Sequence, residues 1–389
     1  MSCEVEVDLI ILGAGCAGLS LAARLADAGT SLRVMAIEAR ADYVDDRSWC
    51  FWQPNDHALS RLVSTTWRSW TFSGVDGRSA TRSVRGMSYQ YIRGSDFYAD
   101  AMARIAASPQ VTVQMATPVD ALEAVPGGVR LITPSGAMTA RWVVDTRPVR
   151  QPAMLYQCFT GVELESATRL PFARDEAGLM TSMRADTAGL AFTYLLPISP
   201  TRALVEWTRF SAHPLREAQL VAGLDETLER LSLGNVPVVR RERGVLPMGH
   251  PPGTTPSLPG VVHAGVAGGA LRAASGYAFL RIQRWADSCT RALLEGRAPV
   301  GHPAEPWARR EMDRIFLQAV RAHPEKTADY FLAMAERVAP QRLVRFLSDE
   351  ATAGDYLSII ASLPFIPFLR ELRPRPKLFR RVDETVMTP

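Results

Sequence analysis

The sequence predicts an α/β protein that opens with a Rossmann-type dinucleotide-binding unit. A short apolar run at Val7–Leu12 ends in a glycine-rich turn, and apolar residues at helical spacing then continue to Asp27. A second apolar segment, residues 33–37, ends in Glu38. A strand, a tight turn, a helix and a second strand within about thirty residues are typical of a βαβ unit in a parallel sheet.

Length and composition indicate a globular protein with more than one domain. The 389 residues suffice for two or three domains, and 47% of them are hydrophobic. The net charge of +4 is too small to indicate nucleic-acid binding. The five cysteines are odd in number and far apart, which favours a reducing cytoplasm over disulfides or a metal site. The acidic amino terminus and the lack of a long apolar run predict neither a secretion signal nor a membrane span.

The turn after the first strand matches the glycine fingerprint of dinucleotide-binding proteins. Gly13 permits a tight turn, Gly15 lets the backbone approach a pyrophosphate, and Gly18 lets the helix pack on the strand. The free N–H groups of that helix then face the diphosphate. Glu38 lies about twenty residues after Gly18 and is placed to bind a ribose hydroxyl. The alternative is an ordinary glycine-rich turn.

A second glycine cluster favours FAD over NAD as the nucleotide. A predicted strand at residues 261–264 opens onto this cluster, and in FAD enzymes of the hydroxylase type such a strand and turn cover the flavin end of the cofactor. Asp145 ends another predicted strand and fits the split FAD-binding domain of that class. Two ordinary loops are the alternative. The glycines expected at the cofactor are Gly265, Gly268, Gly269 and Gly276.

The rest of the chain predicts a sheet domain followed by helices. Strands are expected at 129–132, 142–144, 155–165 and 188–210, and helices at 95–107, 215–231 and 278–372. We therefore expect five parts: 1–95 and 96–150, the first and second FAD-binding parts; 151–245, a substrate-binding sheet domain; 246–300, the third FAD-binding part; and 301–389, a helical carboxy-terminal region.

Several motifs, in order along the chain, resemble one known family. They are G-A-G-C-A-G-L-S-L-A (13–22), D-D-R-S-W-C-F-W (45–52), Y-I-R-G-S-D-F-Y (91–98), V-V-D-T-R-P (143–148), Q-C-F-T-G (157–161), P-I-S-P-T-R-A-L-V-E-W-T-R-F (197–210), G-V-A-G-G-A-L-R-A-A-S-G-Y-A-F (265–279), R-F-L-S-D-E (345–350) and L-P-F-I-P-F-L (363–369). On these segments the sequence resembles the lycopene cyclase family, the bacterial flavin-dependent β-cyclases of carotenoid synthesis.

The resemblance implies an enzyme that uses reduced FAD, with NAD(P)H as the reductant, on a lycopene-like polyene without net redox change. Its reaction protonates a terminal isoprenoid double bond, closes a ring through a tertiary carbocation and then releases a proton. Such a site needs a desolvated acid, an anionic group near the cation, and apolar walls that exclude water.

Glu206 is the expected acid. Related cyclases carry two adjacent acids at this point of the motif, whereas this chain has Glu206 followed by Trp207. Because neighbours in a strand point to opposite faces, Glu206 shares a face with Leu204 and Thr208. In an apolar pocket the pKa of Glu206 would rise and keep the carboxyl protonated. A solvated strand carboxylate is the alternative, and the flavin could itself be the proton donor.

The replacement of the second acid by Trp207 has three interpretations: a helper of the acid is lost, the second position never donates the proton, or the tryptophan reshapes the tunnel for another polyene. Aromatic faces can stabilise a carbocation by cation–π attraction, and ordinary core packing is the alternative role. The expected substrate-lining residues are Trp49, Phe51, Trp52, Phe159, Tyr194, Trp207 and Tyr277.

The carboxy-terminal region predicts contact with a membrane surface. Apolar residues in the segment 357–372 precede a basic cluster, which suits an anionic membrane where a polyene would be stored. The cluster comprises Arg370, Arg373, Arg375, Lys377, Arg380 and Arg381. A core helix with a solvated tail is the alternative. We expect a cytoplasmic protein or a peripheral one at the inner face of the cell membrane.

Other functions fit the same scaffold. An NAD(P)H-dependent flavin monooxygenase or reductase would act on a hydrophobic substrate and consume reductant. A cyclase of another terpenoid would share the chemistry, and a non-catalytic flavin-binding partner would show no turnover. The sequence leaves open the exact isoprenoid, the number of rings and the position of the ring double bond.

Overall fold

Three β-sheets and a carboxy-terminal group of helices make up the computed structural model, which describes residues 7–149, 152–249 and 258–371. The amino-terminal part contains β1 (Val7–Leu12), α1 (Cys16–Asp27), β2 (Val34–Ile37), β3 (Ser48–Gln53), β4 (Val63–Trp67), β5 (Ser69–Gly74), β6 (Ser79–Ser83), β7 (Ser88–Arg93) and α2 (Gly94–Ala106). The middle contains β8 (Val111–Gln114), β9 (Ala121–Val125), β10 (Gly128–Thr133), β11 (Gly136–Asp145), β12 (Leu155–Glu165), β13 (Glu176–Asp186), β14 (Gly189–Pro197) and β15 (Arg202–Ser211). The last part contains α3 (Glu217–Arg230), β16 (Val238–Met248), β17 (Val261–His263), α4 (Phe279–Leu294), α5 (Trp307–Ala322), α6 (Thr327–Arg337), α7 (Pro340–Leu347), α8 (Ala353–Ser362) and α9 (Phe365–Arg370).

The first sheet has the predicted Rossmann-type framework. Its order is β8-β2-β1-β11-β10-β9, with β17 also paired to β11. The strands β8, β2, β1, β11 and β17 run parallel, whereas β9 and β10 form antiparallel pairs at the edge. Leu9 and Ile11 are fully buried, as expected for a strand covered on both faces. Helix α1 contacts α2 and α4, and their shared core includes Ala22 and Trp285.

The second sheet carries the middle of the chain, in the order β16-β12-β15-β14-β13-β5-β6. Its neighbours are antiparallel except for the parallel pair β13 and β5. The strands β5 and β6 come from the segment 1–95, which the sequence assigned to FAD binding. They join this sheet because Trp70 and Phe72 of β5 are buried in its core.

Helices cover both faces of the second sheet, and most of the side chains that its strands direct to the two faces are apolar. Helix α3 packs on one face, where Leu224 and Leu228 meet Val162 and Val205. On the other face Phe210 of β15 packs against helix α6. The small third sheet, β3-β7-β4, also contacts this second face through its polar side chains. The predicted fold class, an α/β protein with a sheet domain and a helical carboxy-terminal region, is confirmed.

Candidate active site

The turn between β1 and α1 has the shape that a dinucleotide diphosphate needs. Gly13 has a φ of 83°, a conformation that favours glycine. A Cβ on Gly18 would lie 1.9 Å from the carbonyl oxygen of Gly13, so α1 packs on β1 only because residue 18 lacks a side chain. Gly15 precedes α1, and no described atom lies within 4 Å of the position its Cβ would take. This open space and the N–H groups of α1 fit a diphosphate.

Glu38 ends β2 beside this turn. Its Oε2 accepts a hydrogen bond from the backbone N–H of Ala14 at 2.9 Å, and its Oε1 accepts one from the N–H of Arg40 at 3.1 Å. Burial raises the pKa of Glu38, but hydrogen bonds and the positive charge of Arg40 outweigh burial and lower it. Glu38 is therefore an ionised acceptor at the turn, which is what a ribose hydroxyl would require.

The second glycine cluster adjoins the first. Gly265 has a φ of 64°, its Cβ would lie 3.3 Å from the Cβ of Ala17 in α1, and its N–H donates to Nε2 of His302 at 3.2 Å. A Cβ on Gly268 would collide with the backbone of its own turn, whereas the space beside Gly269 is open among the described atoms. The structure thus brings Gly265 to the first turn of α1, and Gly268 and Gly269 follow in the same loop.

Asp145 and Gly276 have protein partners of their own. The carboxylate of Asp145 accepts hydrogen bonds from the backbone N–H of Arg147 at 3.0 Å and from its guanidinium at 2.7 Å. Gly276 has a φ of 72°, and a Cβ there would lie 2.9 Å from Oε1 of Gln157 in β12. Arg147 thus binds the side chain of Asp145, and Gly276 faces the second sheet rather than the turn after β1.

Glu206 is buried in the middle of the second sheet, with 9% of the residue exposed. It lies directly opposite Gly161 of β12 on one side and Tyr194 of β14 on the other. The hydroxyl of Thr208 donates a hydrogen bond to its Oε1 at 2.9 Å. Burial, and next the negative charge of Glu242, raise the pKa of Glu206 well above its usual value. Both effects favour the protonated form of this carboxyl.

A buried network of charges lies beside Glu206 and joins β12, β16 and the third sheet. The guanidinium of Arg240 donates to Glu163 at 2.7 Å, to Glu242 at 2.9 Å and to the hydroxyl of Ser48 at 2.8 Å. Ser48 in turn donates to Glu242 at 2.8 Å. We call this group the Glu163 cluster, and its charged members are Asp45, Arg93, Glu163, Arg202, Arg240 and Glu242.

A cavity of about 260 Å³ lies between the second sheet and the carboxy-terminal helices. Trp52, Tyr194 and Tyr277, three of the expected lining residues, form part of its wall. Most of the remaining wall is apolar and comes from the sheet and the helices, and the buried pair Arg272 and Asp313 also lines it. The apolar residues include Met180, Phe210, Phe316, Phe331, Phe346 and Phe365. Glu206 does not line this cavity. Tyr194, which lies directly opposite Glu206 in the sheet, does line it.

The other four expected lining residues lie away from this cavity. Trp49 and Phe51 stack on Phe279 of α4, with ring centroids 5.5 and 5.1 Å apart. Phe159 lies over Gly244 of β16. Trp207 packs on the far face of the sheet against α3, where a Cβ on Gly223 would lie 2.5 Å from its ring. Trp207 lies outside the cavity because the alternation of side chains along β15 points it to the face opposite Glu206.

Comparison with known proteins decides the family. The model of the lycopene cyclase protein family matches residues 8–373. The chain belongs to the lycopene cyclase family. It is 30% identical to the lycopene beta-cyclase of Paracoccus sp. (strain N81106 / MBIC 01143) over 62% of this chain and 61% of that protein. It is 26% identical to the lycopene beta-cyclase of Pseudescherichia vulneris over 92% of this chain and 95% of that protein.

Solved structures place this lycopene cyclase family member on a flavoprotein fold. A geranylgeranyl bacteriochlorophyll reductase-like protein from Thermoplasma acidophilum aligns with a TM-score of 0.60 and 13% identity, over 94% of this chain and 98% of that one. The p-nitrophenol 4-monooxygenase from Pseudomonas putida DLL-E4 gives a TM-score of 0.57 and 14% identity, over 98% and 100%. A mutant of the halogenase PltM, solved in complex with FAD, gives a TM-score of 0.52 and 11% identity, over 93% of this chain and 87% of that one. At these identities the likeness concerns the fold alone.

Within the described ranges, every helix is too short or too polar to cross a membrane. The same ranges contain no group of three His, Cys, Asp or Glu side chains that could hold a metal ion. Of the predicted basic cluster, residues 373 to 381 lie outside the described residues, and the placement of the Arg370 side chain is not described either.

In this cyclase family member, Glu242 and Arg240 lie beside Glu206 although no sequence motif predicted them there. The motif R-R-E-R (240–243) looks like a solvated strand, yet Arg240 and Glu242 are both buried. A usable signal was present, because the two residues stand two apart and therefore share one face of β16. Their burial follows from the pairing of β16 with β12, which the local sequence does not reveal.

Proposed function

We propose that this protein closes a ring at the acyclic end of a lycopene-like isoprenoid, with Glu206 as the proton donor and without net redox change. The observation that carries the proposal is a carboxyl buried in a sheet, directly opposite Tyr194, which lines an apolar cavity, with burial raising the pKa of that carboxyl. A neutral acid in a site that excludes water can protonate an alkene and leave the cation for an internal nucleophile.

The reaction balances with the protein's own groups. The O–H bond of Glu206 breaks as a C–H bond forms at the terminal double bond, which leaves a tertiary carbocation on the substrate. The neighbouring alkene attacks this centre and forms the C–C bond of the ring. A proton then leaves the adjacent carbon and gives the ring double bond, so one proton enters and one departs. The aromatic walls from Trp52, Tyr194 and Tyr277 would steady the cation by cation–π attraction.

FAD is the proposed cofactor, and Gly13, Gly15, Gly18 and Glu38 would hold its ADP half. When bound in the reduced form, FAD would supply an electron-rich ring near the developing cation. Gly265 contacts the first turn of α1, and the glycines at 265, 268 and 269 would allow the cofactor to approach the backbone of their loop. NAD(P)H is the proposed source of the reducing electrons.

The size of the cavity fits one end of the substrate. A cavity of roughly 150 Å³ accepts a benzene ring, so 260 Å³ suits a ring-sized end group rather than a whole polyene. Ile360 and Phe365 belong to the cavity wall and are also exposed, and Leu357 and Ile366 are exposed beside them. This apolar patch on α8 and α9 supports a site of contact with a membrane, from which the polyene would enter.

Anaerobic incubation tests the function directly. Purified protein with FAD, dithionite and lycopene is kept without air, and the pigments are separated by chromatography. We expect a ring-bearing product of unchanged mass, with no reductant consumed in proportion to product. A hydroxylated product formed only with oxygen and NADPH would instead assign the protein to the flavin monooxygenases.

The membrane contact has its own measurement. Co-sedimentation with vesicles of anionic phospholipid is expected for the native chain and reduced for the double variant Phe365→Ser, Ile366→Ser. Equal sedimentation of the two proteins would contradict contact through α8 and α9. A matched control is Val221→Ser, which removes an exposed apolar side chain on α3, on the opposite face of the second sheet.

A further inference from the structure

Two glutamates from different strands approach each other above a glycine. Gly161 of β12 lies opposite Glu206 of β15 on one side and opposite Glu242 of β16 on the other, so the three residues share one sheet face. A Cβ on Gly161 would lie 3.0 Å from the Cβ of Glu206 and 3.2 Å from its Cγ. The side chain of Glu206 therefore occupies the space that glycine leaves, on the same face as Glu242, whose negative charge acts on it.

The remaining hydrogen bonds leave one oxygen of each carboxyl for a contact between the two. Thr208 donates to Oε1 of Glu206. Ser48 and Arg240 both donate to Oε2 of Glu242. Two carboxylates cannot bond to each other without a proton, because each ionised group is only an acceptor. One proton between the pair satisfies both.

Counting charges indicates which carboxyl carries that proton. Among side chains less than a third exposed, the Glu163 cluster holds three arginines, Arg93, Arg202 and Arg240, and three carboxylates, Asp45, Glu163 and Glu242. Glu165 also contacts Arg202, but its side chain is 49% exposed and its charge is screened by water. Its charges are balanced without Glu206. A fourth buried carboxylate would have no cation of its own, so the proton stays on Glu206.

We infer that Glu242 is a positioning residue for Glu206. Its carboxylate, held by Arg240 and Ser48, shares one proton with Glu206 above Gly161 and keeps Glu206 protonated. The inference rests on the proposed function of Glu206 as proton donor. After the proton passes to the alkene, Glu206 becomes a carboxylate beside Glu242. The proton released from the cation restores the pair, so the cycle needs no oxidant or reductant.

Other titratable groups face the pair and would contribute to its titration. Cys50 of β3 and Tyr194 of β14 adjoin Glu206, and Tyr91 of β7 adjoins Arg240 at 3.4 Å. Burial raises the pKa of all three, so they remain neutral around neutral pH. The charged groups on the remaining elements are those of the Glu163 cluster.

The test compares native holoprotein with Glu242→Gln in two measurements. This variant keeps the shape and the acceptor for Ser48 but removes the charge that holds the proton on Glu206. We expect the alkaline limb of the kcat profile to move to lower pH, with kcat at mildly alkaline pH reduced by about tenfold or more. KM should stay within about twofold, because Glu242 does not line the cavity. Glu242→Asp should recover part of kcat.

Infrared spectroscopy reports the shared proton without turnover. Native holoprotein at neutral pH should show a protonated-carboxyl band that is absent from Glu206→Gln and that titrates at lower pH in Glu242→Gln. Glu226→Gln is the matched control, because Glu226 is exposed on α3 and pairs with Arg184, outside the Glu163 cluster, so neither the band nor the pH profile should change.

Separate outcomes address the pair and the function. An unchanged pH profile and an unchanged band in Glu242→Gln would overturn the role of Glu242. A native spectrum without a protonated carboxyl from Glu206 would overturn it as well, even if the variant failed to fold. Native protein that forms no ring but shows the expected band would refute the proposed function and leave the shared proton intact.

Discussion

The structure contains two largely buried clusters of arginines and carboxylates, one beside Glu206 and one beside the apolar cavity. They differ in one additional carboxyl group, that of Glu206. The first is the Glu163 cluster. The second, here called the Arg272 cluster, joins the loop before α4 to α4, α5 and the end of α7, and consists of Arg272, Arg281, Arg309, Glu305, Asp313 and Asp349. Among side chains less than a third exposed, each contains three arginines and three carboxylates, with the more exposed Glu165 and Arg284 at their edges. The first cluster has in addition the buried carboxyl of Glu206 beside it.

The extra carboxyl changes what the cluster can do. In the Arg272 cluster, burial raises the pKa of Asp349, but the charges of Arg281 and Arg272 outweigh burial and lower it. Beside the Glu163 cluster, burial and the charge of Glu242 both raise the pKa of Glu206. Paired charges thus favour ionised carboxylates, whereas a buried carboxyl without a cation of its own favours its protonated form, which is the form that the proposed function needs.

Removal of the extra carboxyl should have the largest effect. Glu206→Gln preserves size and hydrogen bonding but has no acidic proton, so we expect ring formation to fall by about 10²- to 10⁴-fold. The measurement is the rate of product formation from lycopene under anaerobic conditions. Flavin absorbance of the purified variant serves as the folding control. Full activity would remove Glu206 from the mechanism.

Loss of an arginine from the balanced cluster should instead affect stability. Arg272→Met leaves the carboxylate of Asp313, which Arg272 contacts at 2.9 Å, buried without its cation. We expect the free energy of unfolding to fall by about 3–5 kcal/mol, measured by urea denaturation. Arg284→Met is the control, because Arg284 lies at the exposed edge of the cluster, and its loss should cost less than about 1 kcal/mol. Similar losses from both variants would contradict the comparison.

The two clusters should respond to pH in opposite directions. Because the pKa of Glu206 is raised, we expect its acid form and the activity to persist to higher pH than for an ordinary glutamate and to be lost as pH rises through that pKa, about tenfold per unit. Because the pKa of Asp349 is lowered, its contribution to stability is complete above its usual value and is lost as pH falls through the lowered one. A pH series of kcat, beside one of urea midpoints, checks both signs. Activity that rises with alkaline pH would refute the assignment of Glu206.

The smallest effect is expected at Trp207. Its ring packs on α3, on the sheet face away from Glu206. Trp207→Phe should lower the free energy of unfolding by about 1 kcal/mol and leave kcat within about twofold. Chromatographic assay and urea denaturation on the same preparation measure both. A changed product or a large loss of kcat would show that Trp207 acts on the substrate.

The sequence predicts those parts of the site that depend on neighbours along the chain. Gly13, Gly15 and Gly18 fall within one strand–turn–helix unit, and strand alternation alone separates Glu206 from Trp207. The Rossmann-type unit can therefore be predicted from a short stretch of sequence.

The parts that the sequence does not predict depend on contacts between distant segments. Glu242 meets Glu206 only because β12 lies between their two strands, with a glycine at the crossing point. Phe51 and Trp52 are adjacent, yet only Trp52 reaches the cavity, because the pairing of β3 with β7 decides which face each presents. No local pattern encodes either arrangement.

The volume of the cavity has a kinetic consequence for a polyene with two identical ends. On the proposed function, 260 Å³ admits one end while the rest of the molecule extends past Ile360 and Phe365. The second end can react only after the first withdraws and the molecule reverses its direction of entry. One-ring molecules should therefore accumulate before two-ring molecules in a time course, with a ratio set by how often the half-finished molecule escapes.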